Sequence, residues 1–246
     1  MILELDCGNT LIKWRLVDGG VVLSGRSSEE EELLHSLRRL KMAGLDGIRL
    51  VSVRGQIETE AISIALEQAF GQVCHIARPA EQLGGVSNGY TDYRTLGMDR
   101  WLASVGAYSM IGKACLVIDL GTAITADFVS SDGRHLGGFI CPGIPLMRKE
   151  LISHTGQIRY EQNQASAELP VLDPGRKTSQ AVERGCNWMV RGFVHEQCAL
   201  AVHLLGDDHE ILLTGGDAEM VHDSMPRARL VPDLVFAGLA IACPIG

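Results

Sequence analysis

One short pattern occurs twice in this sequence, and it restricts the possible folds more than any other feature does. Residues 3–13 read LELDCGNTLIK, and residues 116–126 read LVIDLGTAITA. Each copy is an apolar run, an Asp-x-Gly turn and a second run that can form a strand. A later Asp-Gly pair, at Asp18 in one copy and Asp132 in the other, is a strong hairpin signal. Two copies at so long a period predict a duplicated domain and not a solenoid.

The segments that follow each copy have a mixed α/β pattern. The length of 246 residues allows one or two domains, so we expect two related domains, over residues 1–112 and 113–246. Apolar residues at helical spacing before Gly71 predict a helix that ends there. Further elements are predicted as strands over 48–53, 115–120 and 211–214 and as helices over 97–110, 179–205 and after Asp233.

Composition excludes several classes of function. The formal net charge is −8, which argues against a nucleic-acid surface, because phosphate binding needs a basic patch. Seven scattered cysteines without a CxxC pair indicate a reducing cytosol and neither a disulfide framework nor a zinc site. The first residues do not resemble a signal peptide. The most apolar segment, 234–243, is too short to cross a bilayer, so we expect a cytoplasmic protein without a membrane partner.

The repeated turn has the chemistry of a phosphate clamp. Glycine and small residues let a tight loop present backbone N–H groups to phosphate oxygens. A carboxylate beside them can hold Mg²⁺, directly or through water, since phosphoryl transfer depends on positioning and charge neutralisation. Asp6 with residues 8–10, and Asp119 with Gly121 and Thr122, supply these groups at strand ends that we expect to face each other across a cleft. For either copy alone, an ordinary hairpin turn is the alternative, and the pairing favours the clamp.

Two further motifs fit a kinase. Gly215 and Gly216 follow a predicted strand and allow close approach of a flat ring, so they are candidates for an adenosine site. Asp99 opens a predicted helix, where its carboxylate could orient an alcohol and accept its proton. Arg100 beside it could bind a substrate carboxylate. The alternative for Asp99 is a purely structural one, stabilisation of the helix N-terminus.

One motif is rejected on its context. Residues 85–89 match the G-x-S-x-G pattern of hydrolases. That pattern needs a preceding apolar strand and a helix directly after it, and here both flanks predict a loop.

The twin turns with the late Gly-Gly pair resemble the acetate and sugar kinase, Hsp70 and actin superfamily. Within it, the chain is similar to the type III pantothenate kinases over essentially its whole length, through segments in the same order. These segments are residues 6–10, 97–101, 119–123, 137–143, 183–185 and 214–218. The resemblance implies an α/β fold of two duplicated RNase H-like domains of the actin and Hsp70 type, with the active site in the cleft between them. It also implies phosphorylation of pantothenate by ATP to 4′-phosphopantothenate, the opening step of coenzyme A synthesis.

The resemblance also implies residue roles. Asp99 would be the catalytic base, and Asp6 would hold Mg²⁺. Asp119 would help to hold a monovalent cation, K⁺ or NH₄⁺. Members are usually homodimers, and Thr178 matches a threonine that contacts the substrate of the neighbouring subunit; locally it could also cap a helix. The ATP and phosphate residues would be Asp6, Cys7, Gly8, Asn9, Thr10, Leu11, Ile12, Lys13, Gly121, Thr122, Gly215 and Gly216, and the substrate residues Tyr90, Gly97, Met98, Asp99, Arg100 and Thr178.

Two other functions remain open at this level. One is a kinase of the same superfamily that acts on another small molecule. The other is a nucleotide-binding regulator, which keeps the phosphate clamp and acts through a partner protein. Asp99 and Arg100 together favour an enzyme, because a pure binding module needs neither. The segment 154–177 indicates no role.

Overall fold

A computed structural model describes residues 1–40, 44–156, 158, 173–225 and 227–245. The chain divides into two compact units, Met1–Met110 with Asp233–Gly246 and Ile111–Pro232. Most of the segment 154–177 lies outside the described residues. Within the described part, no helix has the length and hydropathy that crossing a bilayer requires.

The first unit contains a five-stranded mixed sheet in the order β3-β2-β1-β4-β5. Strands β1, β2 and β3 form an antiparallel meander, and β4 and β5 run parallel to β1. Its strands are β1 (Ile2–Cys7), β2 (Ile12–Val17), β3 (Val21–Ser27), β4 (Gly47–Ser52), β5 (Cys74–Ile76), β6 (Gln82–Leu83) and β7 (Val86–Ser87). Its helices are α1 (Glu30–Arg39), α2 (Gln56–Phe70), α3 (Met98–Ile111) and, at the end of the chain, α7 (Leu234–Ala242).

The second unit repeats this sheet. Its order is β10-β9-β8-β11-β12, with β8, β9 and β10 antiparallel and β11 and β12 parallel to β8. Its elements are β8 (Cys115–Leu120), β9 (Ala123–Val129), β10 (His135–Pro142), α4 (Ile144–His154), α5 (Thr178–Leu205), β11 (Glu210–Thr214), α6 (Ala218–His222) and β12 (Ala228–Leu230). The duplicated α/β architecture expected from the sequence is therefore confirmed.

Each unit has its own core, and the first strand of each copy passes through it. In the first unit Leu3 and Leu5 are fully buried with Ile48 and Leu50 of the neighbouring strand. In the second, the leading core residues are Leu116, Ile118, Phe128, Val190 and Leu213. Because the central strands are covered on both faces, they read as nearly continuous apolar runs.

Glu4 interrupts the first of these runs, and the sheet register explains it. Its cross-strand partners are Arg15 and Arg49. Arg15 Nε and Arg49 Nη1 each donate a hydrogen bond of 2.6 Å to the Glu4 carboxylate, which is 1% exposed. A buried charge is tolerated only when it is paired in this way.

The terminal helix α7 belongs to a different unit from the one that the expected domain boundaries assign to it. The sequence placed α7 in a domain over 113–246, whereas α7 packs on β1 and β4 of the first unit. Arg49 Nε donates to the carbonyl of Cys243 at 2.7 Å, and Arg15 Nη1 donates to Asp233 at 2.8 Å. A Cβ atom on Gly238 would lie 2.0 Å from the carbonyl oxygen of Leu102, so the glycine permits α7 to cross closely over α3. Hydropathy alone predicts a buried helix but not which sheet buries it.

Candidate functional site

The first Asp-x-Gly turn joins β1 to β2. The amide of Gly8 donates to the carbonyl of Leu11 at 3.0 Å, which closes the turn. Asn9, Thr10 and Leu11 are exposed at its tip. The turn therefore displays several small or polar residues to solvent at the end of a buried strand, as a phosphate-binding loop requires.

Asp6 is the buried acid of this turn. Its residue is 8% exposed, and its cross-strand partner is Lys13, whose Nζ lies 3.8 Å from an Asp6 carboxylate oxygen. Burial raises the pKa of Asp6 to about 6, the nearby Lys13 ammonium acts to lower it, and the charge of Asp99 acts to raise it. Asp6 and Asp99, far apart in sequence, therefore lie in one electrostatic neighbourhood within the first unit.

Asp99 is in the first turn of α3. Its Oδ1 accepts a hydrogen bond of 2.8 Å from the amide of Arg100, so the local structural role is real. The carboxylate is nevertheless partly exposed, whereas the helix behind it is anchored by Trp101, which is 1% exposed. A partly accessible carboxylate on a rigid helix is suited to accept a proton from a bound alcohol.

Arg100 and Tyr90 contact each other near Asp99 in the first unit. Arg100 is 5% exposed, and its Nη1 donates to the Tyr90 hydroxyl at 2.7 Å, with the guanidinium carbon 5.7 Å from the ring centroid. The side chain of Asn88 accepts from the amide of Tyr90 at 3.0 Å and holds this segment in place. The structure thus places in direct contact two of the residues that the resemblance assigned to substrate binding.

The remaining substrate candidates of the first unit are at the start of α3. Gly97 and Met98 are partly buried, and the carbonyl of Gly97 accepts from the amide of Trp101 at 2.9 Å. The rejected G-x-S-x-G segment begins in the turn of the β6–β7 hairpin, where Gly84 and Gly85 have positive φ, and includes the strand β7. No helix follows β7 directly, so the hydrolase reading is excluded, although the hairpin itself was missed.

The second turn joins β8 to β9 in the same way. The amide of Gly121 donates to the carbonyl of Ala123 at 3.1 Å. Gly215 follows the neighbouring strand β11 with φ at +91°, and a Cβ atom on it would lie 2.4 Å from Asp119 Oδ1 and from the carbonyl oxygen of Leu120. The Gly-Gly turn is therefore packed directly on the second phosphate turn, and only glycine permits this contact.

Gly143 is a third part of this arrangement that the sequence did not assign to the site. Its amide donates to the carbonyl of Thr122 at 3.0 Å. A Cβ atom on it would lie 2.2 Å from the carbonyl oxygen of Gly121. Gly143 is also the N-cap of α4, so that helix begins against the second turn. The signal available in the sequence was the Pro-Gly pair at the end of the 137–143 segment, whose meaning depends on a contact between distant residues.

Asp217 follows the Gly-Gly turn and links it to a buried ion pair. Its amide donates to the carbonyl of Leu120 at 3.0 Å. Burial raises the pKa of the Asp217 carboxyl, and the charge of Arg148 acts in the opposite direction. Arg148 Nε donates to both carboxylate oxygens of the fully buried Glu183, at 2.7 and 2.8 Å. This ion pair links helix α4 to helix α5 close to Asp217.

Thr178 is part of neither turn. It is exposed and is the first residue of α5, so Lys177 and not Thr178 is the N-cap. Thr178 borders a cavity of about 850 Å³. The other described lining residues are Leu151, Ile158, Gly175, Arg176, Lys177, Ala181, Val182, Gly185, Cys186 and Met189, and none belongs to a phosphate turn.

Carboxylate oxygens in the described part of the chain could serve as ligands of a hard cation. Among the described residues, no group of three or more His, Cys, Asp or Glu side chains could hold a metal ion. A single buried carboxylate such as Asp6 still fits Mg²⁺, which typically uses one or two carboxylates with substrate phosphates and water.

Comparisons with known proteins agree with this chemistry. The family model for type III pantothenate kinases matches residues 2–200. The chain is 54% identical to a type III pantothenate kinase of Pseudomonas paraeruginosa over 248 aligned positions, with full coverage of both proteins. The same identity and coverage relate it to the type III pantothenate kinase of Pseudomonas syringae pv. syringae.

Solved structures share the fold at low sequence identity. A protein from Campylobacter jejuni assigned to the Baf family of transcriptional activators superposes with a TM-score of 0.59 at 21% identity, covering 96% of this chain and 94% of that one. MreB 5 of Spiroplasma citri, bound to AMPPNP, superposes with a TM-score of 0.54 at 14% identity, covering 98% and 95%. These likenesses concern the fold alone.

Proposed function

Because this chain belongs to the type III pantothenate kinase family, we propose a role in the family reaction for each residue of the two turns and of α3. The chain is an ATP-dependent kinase that phosphorylates pantothenate, the first step of coenzyme A biosynthesis. The assignment of roles rests above all on one observation. The buried acid of the first turn, Asp6, shares its electrostatic neighbourhood with Lys13 and Asp99.

We assign the two turns to the phosphates of ATP. In the first turn, residues 9–11 offer backbone N–H groups, Thr10 its hydroxyl and Lys13 its ammonium, while the Gly8 amide closes the turn. In the second, Thr122 offers its backbone N–H and its hydroxyl, and Gly121 closes the turn, with Gly143 and Gly215 packed behind it. We assign Gly215 and Gly216 to the adenosine part of the nucleotide: Gly215 lets the turn pack on the second phosphate turn, and Gly216, where an added Cβ would meet no atom within 4 Å, leaves open backbone for the ring.

Asp6 is the proposed ligand of the divalent metal, directly or through water. Its burial raises its pKa to about 6, and a nearby cation favours the charged form of a buried carboxylate. We identify the metal as Mg²⁺, which Asp6 would hold and which would supply neutralisation of the charge on the ATP phosphates. Lys13 supplies part of the same neutralisation from the protein.

Asp99 is the proposed general base. Its carboxylate accepts the proton of the pantothenate hydroxyl while that oxygen attacks the γ-phosphorus of ATP. The bond from the γ-phosphorus to the bridging oxygen breaks, and ADP leaves. Arg100 binds the pantothenate carboxylate, and Tyr90 orients the guanidinium through the 2.7 Å hydrogen bond. Gly97 and Met98 line the same pocket at the start of α3.

Asp119 is the proposed ligand of a monovalent cation, K⁺ or NH₄⁺. Its carboxylate lies beside the backbone of Gly215, and the carbonyl oxygen of Leu120 lies beside the same glycine. Oxygen ligands of this kind suit a hard cation.

We further propose a cytoplasmic homodimer. The seven cysteines are all free thiols, in keeping with a reducing compartment. Thr178 is exposed at the start of α5, where it is accessible to a second copy, in keeping with the family resemblance, in which the neighbouring subunit supplies this threonine to the substrate. Size-exclusion chromatography with light scattering tests the dimer, and a monomer at working concentration would refute it.

A phosphorylation assay tests the function and its cation requirement. Purified protein is incubated with ATP, Mg²⁺ and pantothenate, with and without K⁺ or NH₄⁺, and phosphopantothenate is measured. We expect turnover that requires both kinds of cation. Nucleotide binding without phosphate transfer would instead indicate a regulator, and transfer to another acceptor would indicate a different kinase.

A further inference from the structure

Arg54 lies beside the first phosphate turn, although no motif pointed to it. Strand β4 runs parallel to β1, with Ser52 opposite Cys7. The next amide, that of Val53, donates to the carbonyl of Cys7 at 3.1 Å. The carboxyl ends of parallel strands meet at one edge of a sheet, so Arg54 emerges where the first turn begins.

The guanidinium of Arg54 is held in a defined place. Its Nε donates to the carbonyl oxygen of Gly8 at 2.9 Å, and its Nη1 donates to Glu58 Oε1 at 2.6 Å. The side chain of Arg54 is 11% exposed, and that of Glu58 is 53% exposed. A hydrogen bond from a charged donor is stronger than one between neutral groups, and partial burial limits competition from water.

The bond to Gly8 has a consequence for the next residue. The peptide bonds of the described residues are all trans, so the carbonyl of Gly8 and the amide of Asn9 point in opposite directions across one rigid plane. Since the carbonyl points toward Arg54, the Asn9 N–H points away from it. Asn9 is exposed at the tip of the turn, so its N–H lies on the side of an accessible turn that faces away from Arg54.

We propose that Arg54 is a positioning residue of the first phosphate turn, which fixes the Gly8–Asn9 peptide so that the Asn9 N–H is presented to a phosphate group of ATP. Glu58 orients the guanidinium for this purpose. The inference rests on the assignment of residues 8–13 to the ATP phosphates. Oriented backbone amides are effective phosphate ligands because they need no reorganisation when the anion arrives.

The experiment compares Arg54→Met and Arg54→Lys with the unmodified protein. Loss of a charge-assisted hydrogen bond should raise KM for ATP about 10-fold or more in Arg54→Met, with KM for pantothenate unchanged. Arg54→Lys, which retains a charged donor, should recover part of this loss. Binding of AMPPNP should weaken while binding of adenosine stays constant, because only the phosphates meet the turn.

A milder variant guards against misfolding. Glu58→Gln keeps the size of the side chain and should raise KM for ATP about 2-fold, the effect of an exposed i,i+4 ion pair. Glu60→Gln is the matched control: Glu60 lies on the same helix and accepts from Gln56 at 2.8 Å, and it should change nothing. Equal weakening of AMPPNP and adenosine by Arg54→Met, or an unchanged KM for ATP in a folded Arg54→Met protein, would overturn the inference.

Thr10→Ala separates this inference from the function on which it rests. If Thr10→Ala raises KM for ATP and Arg54→Met does not, the turn binds ATP and only the role of Arg54 is wrong. If neither variant changes KM for ATP, the assignment of the first turn to the phosphates fails as well.

Discussion

Lys13 Nζ lies 3.8 Å from a carboxylate oxygen of Asp6, its cross-strand partner at the point where the first hairpin begins. The pair combines the two charges that a phosphate site needs, an anion for a metal and a cation for phosphate oxygens. The separation is too long for a direct hydrogen bond, so the Asp6 carboxylate keeps capacity for another cation.

The first prediction concerns pH. Burial raises the pKa of Asp6 to about 6, so activity that needs its charged form should fall as pH drops through about 6. Lys13 acts to lower this pKa, so Lys13→Met should move the acid limb of kcat/KM for MgATP to higher pH, besides lowering the plateau. Lys13→Arg retains the charge and should keep the limb in place. An unshifted limb in Lys13→Met would show that Asp6 does not control it.

The second prediction concerns Asp99→Asn. The amide oxygen of asparagine can still accept from the Arg100 N–H, so the start of α3 should be preserved while the proton acceptor is lost. A general base contributes roughly 10²–10⁴ in rate, so kcat should fall by about that factor while binding of AMPPNP is retained. Near-normal turnover would leave Asp99 with its structural role alone.

The third prediction concerns Gly143→Ala. The added methyl group would collide with the carbonyl of Gly121, since the Cβ position lies 2.2 Å from it. The second turn must then move, and we expect KM for ATP to rise and stability to fall by about 1–3 kcal/mol, as for overpacking. Gly192→Ala, in the interior of α5 with no atom within 4 Å of the added Cβ, is the control and should be neutral or stabilising. Equal behaviour of the two variants in kinetics and thermal unfolding would contradict the contact.

The fourth prediction concerns the buried pair of Arg49 and Glu4. Arg49→Met leaves the Glu4 carboxylate with Arg15 alone and removes the hydrogen bond to the carbonyl of Cys243. Breaking a buried ion pair costs about 3–5 kcal/mol, which urea unfolding can measure. Arg94→Met, in an exposed pair with Asp92, should cost less than about 1 kcal/mol. Similar losses in the two variants would show that burial of Glu4 is unimportant.

Much of this fold follows from local patterns. The glycine at position 71 ends α2 in the left-handed conformation, as expected from a glycine after a helical repeat. The helices and strands predicted over 97–110, 115–120, 179–205 and 211–214 are present within one residue at each end. These elements are determined by short-range periodicity and turn chemistry, which the sequence displays directly.

The terminal helix α7 shows what a local sequence pattern cannot predict, namely the sheet on which the helix packs. Its apolar composition predicts burial but is compatible with either sheet, and only the contacts of Asp233 and Cys243 with Arg15 and Arg49 assign it to the first unit. Glu4 is a second case. Its charge in an apolar strand is explained only by the sheet register, which places Arg15 and Arg49 opposite it.

The sequence by itself determined that a phosphate turn occurs twice, because aspartate, glycine and small polar residues in that spacing are needed for the chemistry and are visible in the chain. Tertiary structure alone decided which distant residues support each turn. Arg54 reaches Gly8 because β4 lies parallel to β1, and Gly143 and Gly215 reach the second turn because only hydrogen atoms stand where side chains would clash. Such contacts depend on strand order and close packing, which no local pattern encodes.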